Sequence, residues 1–171
     1  MSELFEALRA RGWEIKEQAG VAELLPAEVR ARYPHVPAAV AEFLGGLDVC
    51  HNATEDAWML TPEDFRKTDP DGFRWNEYEL MALEGEDDNP ELQAEVRSFW
   101  NEHFPIMMAV HSDYDYLAVR LAEPERGSIV HGFAPEWNSP TRIARSFEEF
   151  LTLFTKEARS SQAEYPFDVF L

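Results

Sequence analysis

Between Phe104 and Ala134 the chain alternates apolar and polar residues in three runs separated by short polar breaks. FPIMMAV places Phe104, Ile106, Met108 and Val110 on one side of a strand. YLAVRL places Leu117, Val119 and Leu121 on one side of the next. SIVHGFA follows the turn-like EPERG, Glu123 to Gly127. A side-chain period of two is the signature of a strand. Parallel neighbours need a long crossover, so strands this close in sequence pair antiparallel. A β-meander over about residues 104–134 is therefore the element on which the rest of the chain must pack.

The other strong patterns are mostly helical. SELFEALRARG has Ser2 as a cap, Leu4, Phe5 and Leu8 on one face, and Gly12 after its end. LPAEVRARYPHVPAAVAEFLGG reads as two short helices broken by Pro34 and Pro37, with Gly45-Gly46 as the stop. AWML, Ala57 to Leu60, reads as a short strand leading into TPEDF, where Thr61 can cap and Pro62 fits a first helical position. FRWNEYELMALEG and PELQAEVRSFWNEH are two further helices, separated by the acidic EGEDDNPE. ARSFEEFLTLFTKEARSS carries a capping box, Ser146 with Glu149, and an apolar face of Phe147, Phe150, Leu151 and Phe154. Helices, a strand, helices, a meander and a last helix predict an α+β fold, a mainly antiparallel sheet flanked by helices. The length of 171 residues suits one domain spanning 1–171, with 160–171 as a docked or flexible tail.

Charge narrows the partners. The net charge is −18, and residues 46–102 hold 4 basic against 16 acidic side chains, a local net of −12. Such a field repels nucleic acid and anionic membranes and draws cationic partners. Acidic charge that only keeps the protein in solution is the plainer alternative. No run of about 18 apolar residues predicts a membrane span, and the first twenty residues do not read as a signal peptide. The single cysteine, Cys50, has no partner for an internal disulfide. These features favour a cytoplasmic protein.

Three chemistries can be tested against the residues. His111, Asp113 and Asp115, with His131 on a nearby strand, offer a His/carboxylate set for a divalent metal and a metal-dependent hydrolase. The apolar alternation on either side stops at Val110 and resumes at Leu117, which instead makes these residues a strand connection, where Ser and Asp are common. Cys50-His51 are sequence neighbours, an arrangement that does not aim a base at a thiol. No phosphate-binding or dinucleotide fingerprint occurs, and no cofactor is expected. Trp58, Trp75, Trp100 and Trp137 are either core residues or interface anchors. Trp137, in the polar loop APEWNSP, is the best placed for a partner.

The order of elements resembles the SUKH superfamily, which includes bacterial toxin-immunity proteins and a yeast cell-wall regulator. VPAAVAEFLGGLDV is similar to its proline-started helix with a Gly-Gly stop. FPIMMAVHSDYDYLAVRL is similar to its central hairpin, and GSIVHGFAPEW with IARSFEEFLTLF to its next strand and C-terminal helix. Against that family, residues 69–102 read as a helical insert. Leu44 stands where the family often has Asn before Gly-Gly, and HSDYD lacks the glycine common in its hairpin turn. The resemblance implies binding rather than catalysis, and direct neutralisation of a basic toxin, often a nuclease. A regulatory or scaffold role without a toxin is the alternative. The partner-binding candidates are Glu55, Asp56, Glu84, Glu86, Asp87, Asp88, Asp113 and Asp115, with Tyr114, Tyr116 and Trp137 as aromatic anchors.

Overall fold

The expected meander forms and extends beyond the expected limits. The computed structural model describes residues 2–19, 23, 25–69, 72–85, 88–111, 113–134 and 136–171. Among them a seven-stranded sheet runs in sequence order, every neighbouring pair antiparallel. Its strands are β1 (Glu14–Glu17), β2 (Leu47–His51), β3 (Ala57–Met59), β4 (His103–Ala109), β5 (Tyr114–Arg120), β6 (Ile129–Ala134) and β7 (Thr141–Ala144). The helices are α1 (Ser2–Ala10), α2 (Ala27–Arg32), α3 (Ala38–Gly45), α4 (Glu77–Glu84), α5 (Pro90–Glu102) and α6 (Phe147–Arg159). The protein is thus mixed α+β. No helix of the described residues is long and apolar enough to cross a membrane.

Local chemistry explains where the helices begin. Ser146 Oγ accepts from Glu149 N (3.1 Å), while Glu149 Oε2 accepts from Arg145 N (2.6 Å). The serine half of the capping box expected of α6 forms, and the glutamate reaches one residue further back than expected, to the N–H before the cap. Asn89 caps α5 by accepting from Leu92 N (3.2 Å). Gly12, with φ +90°, turns the chain out of α1 in a conformation that favours glycine. TPEDF differs from its expected helix. Asp64 Oδ2 accepts from both Thr61 N and Thr61 Oγ1 (2.8 Å each), and the chain makes only a 3-10 turn at Asp64–Arg66 before extending at Lys67. The helix expected from Phe73 starts at Glu77.

Both sides of the central strands are covered, which is why β4 is buried along its whole length. On one side lie α1, α3 and α6, with Phe5, Phe43 and Phe147 packed ring to ring at 5.8 and 5.3 Å. The C-terminal segment belongs to this side: Phe170 is fully buried and meets the His131 ring edge-on at 6.0 Å. On the other side runs one cross-strand row, His51–Trp58–Met108–Tyr116–Gly132. Helices α4 and α5 cover its centre with Tyr78, Phe99 and Trp100, the last 4.9 Å from the Tyr116 ring. Toward β2 this cover stops, and the sheet side becomes accessible.

Candidate aromatic and acidic docking face

Where α4 and α5 end, the β2–β3 corner forms an open cleft of about 350 Å³. Its geometry begins in the turn between these strands. Asn52 Oδ1 accepts from Asp56 N (3.0 Å) and Ala57 N (3.2 Å), and its Nδ2 donates to Asp56 Oδ1 (2.5 Å). Satisfying the turn's backbone in this way holds Glu55 at φ +59°, a left-handed conformation uncommon outside glycine, asparagine and aspartate. Glu55 is exposed there. Trp58, half-buried on β3, forms part of the wall, and Phe73 stands edge-on to it at 5.3 Å and 84°. Asp48, Glu55, Glu63 and Asp64 surround these rings, with Lys67 as the cleft's lysine. Lys67 Nζ is already held by Asp64 Oδ1 at 2.7 Å.

The aromatic surface continues past the cleft. Phe73 meets Tyr78 at 5.8 Å, and Tyr78 meets Tyr114 at 5.9 Å. Among the described residues, Phe73 (38%) and Tyr114 (42%) are two of the three large hydrophobic side chains left exposed, the third being Tyr165. Burying them against water is favourable only when something covers them.

The sequence candidates divide sharply. Glu55 lies on the cleft and Tyr114 joins it through Tyr78. Asp113 is exposed beside Tyr114. Asp56 has partners within the chain: hydrogen bonds from Asn52, then Thr54 and His111, hold its carboxyl below the usual carboxylate range. Glu84 and Asp88 are exposed at the end of α4 and just before α5, outside the cleft. Glu86 and Asp87 lie outside the described residues. Trp137 is half-buried against Phe99 at 5.2 Å.

Two candidates are corrected. Tyr116 is wholly buried, and its hydroxyl donates to the Trp137 carbonyl at 2.7 Å, so it is a core residue rather than an anchor. Asp115 is 5% exposed and accepts from His131 Nε2 at 2.7 Å on the opposite side of the sheet. Strand alternation sends Tyr114 and Tyr116 to one side and Asp115 to the other, and helix cover then hides Tyr116. Trp58, read from the sequence as either core or interface anchor, completes the face together with Asp48, Glu63 and Phe73, which the sequence did not single out. The local hint for Phe73 in the sequence is its place directly after DPDG, residue types that favour turns.

The metal alternative falls into separate pairs: His111 Nδ1 lies 3.1 Å from Asp56 Oδ2, while His131 is bonded to Asp115. Among the described residues no three His, Cys, Asp or Glu side chains come together to hold a metal ion. Cys50 is buried, and burial pushes its thiol up to about 12, far from a reactive thiolate. Tyr33 and Tyr78 are likewise buried, and each donates its hydroxyl to backbone carbonyls.

No protein-family model, no curated protein and no solved structure matches the chain significantly. The face can offer aromatic rings to an apolar or cationic group, and carboxylates to a positive one.

Proposed function

We propose that this protein is a non-enzymatic protein-binding module whose target is a basic protein, and that it acts as a cytoplasmic immunity protein of the SUKH kind against a toxin domain. The observation that carries this reading is the half-buried Trp58 with the exposed Phe73 and Tyr114, the latter two joined through the buried Tyr78 ring, beside four carboxylates in the most acidic third of the chain. Interfaces of this composition use rings as buried anchors and charge as a guide to encounter. The local net of −12 over residues 46–102 supplies the guiding field.

The test is association with a basic toxin domain encoded beside this gene, followed by stopped-flow mixing from 50 to 500 mM NaCl. Steered association slows at least tenfold over that range, because screening shortens the Debye length from above 10 Å to a few Å. The double variant Glu55→Gln/Glu63→Gln should reduce that salt dependence without abolishing it, since most of the acidic field remains. A rate indifferent to salt would overturn the steering, and failure to bind would overturn the immunity reading.

A further inference from the structure

We infer that the corner between Trp58 and Phe73 receives an arginine side chain from the basic partner, as the anchoring contact of the complex. This rests on the binding-module reading above and narrows it to one side chain. The fold itself shows the chemistry. Arg32 is held by Glu79 through two hydrogen bonds (2.6 and 2.8 Å), and its guanidinium carbon lies 5.2 Å from the Tyr33 ring and 5.9 Å from the Trp75 ring. A planar cation is thus fixed by a carboxylate fork and the face of aromatic rings.

The Trp58–Phe73 corner repeats these ingredients at the surface. Two rings meet edge to face, and Glu55 and Glu63 make no side-chain hydrogen bond or ion pair among the described residues. Lys67 is engaged by Asp64. The cleft is about 350 Å³, roughly ten times the ~30 Å³ share of one water in the liquid, which suits a long side chain. Arginine fits better than lysine because its guanidinium is weakly hydrated, stacks on rings and forks onto carboxylates, whereas an ammonium is a compact, strongly hydrated charge.

The experiment uses the whole protein with hexa-arginine and hexa-lysine peptides of equal length and charge, in low salt. Indole N–H resonances are followed by NMR, with Trp58→Phe identifying the Trp58 signal. Hexa-arginine is expected to move that signal saturably and to bind about two- to fivefold tighter than hexa-lysine, the range an exposed cation–ring contact supplies. Phe73→Ala should abolish this preference, and the exposed Glu63→Gln should weaken hexa-arginine binding without touching the fold. Equal affinity for the two peptides, or binding that leaves the Trp58 signal unmoved, overturns the arginine anchor while leaving a diffuse acidic attraction intact. Binding of neither peptide overturns both the anchor and the basic-partner reading.

Discussion

Replacing Gly132 by alanine tests how the α4–α5 side of the sheet is built. A Cβ at residue 132 would fall 2.3 Å from Tyr116 Oη, 2.4 Å from Cζ and 2.8 Å from Cε1. Such distances require a shift, and the Tyr116 ring has little room to make it. It is enclosed by Trp100 at 4.9 Å, Tyr78 at 6.2 Å and Phe99 at 6.4 Å, and its hydroxyl is tied to the Trp137 carbonyl. Overpacking of a closed core costs about 1–3 kcal/mol. Losing the hydroxyl's hydrogen bond adds about 1 kcal/mol. Reduced freedom of the unfolded chain returns about 0.4–1 kcal/mol. The net expectation is a loss of about 1–3.6 kcal/mol, read as a lower urea midpoint at unchanged slope. In a chain of this size that corresponds to roughly 2–14 °C in Tm. Tyr116→Leu removes the clash, so adding Gly132→Ala to it should cost under about 0.5 kcal/mol more, a coupling measurable by a double-mutant cycle. Gly132→Ala within about 0.5 kcal/mol of the parent would refute the claim that this glycine exists to seat the tyrosine.

Two further outcomes follow from buried charge. Glu79→Ala leaves the Arg32 guanidinium without its carboxylate. The expected loss is about 2–3 kcal/mol in urea unfolding, below the ~3–5 kcal/mol of a wholly buried pair because Arg32 keeps 23% of its side chain in solvent. A loss under about 0.5 kcal/mol would show the pair to be incidental. His103 is buried, with Nδ1–H donating to the Phe99 carbonyl at 2.8 Å and Nε2 without a partner among the described residues. Burial lowers its pKa below 6.5, helped by the Arg120 charge and opposed by the Phe99 bond. The unfolded chain therefore takes up this proton first. Its contribution is complete above about pH 6.5 and is lost as the pH falls from there through the folded value, by at most about 1.4 kcal/mol per pH unit. NMR titration should place His103 below 6.5, and His103→Gln should flatten the pH dependence of the urea midpoint between pH 7.5 and 5.5. A His103 titrating at or above 6.5 would contradict this.

The parts of the fold legible in the sequence are those fixed by near neighbours. β4, β5 and β6 declare themselves by alternation, and α6 by Ser146, Glu149 and its row of phenylalanines, because pleat and capping act over a few residues. β1 (EIKE) and β7 (TRIA) are short, and β1 and β2 (LDVCH) are strands through pairing with each other across some thirty residues. Local propensity carries little of that information.

The same division runs through the docking face. By itself the sequence determined that the chain is α+β and that its middle third is strongly acidic; it read Tyr114 to Tyr116 as part of a connection, whereas β5 begins at Tyr114 and turns Tyr114 and Tyr116 to one side. Only the tertiary structure decided that helix cover reaches Tyr116 and stops short of Phe73, and that Asp115 is sealed against His131 while Glu55 stays in solvent. The physical reason is that burial belongs to what lies opposite a residue, and the helices lying opposite are set by packing between segments far apart in the chain.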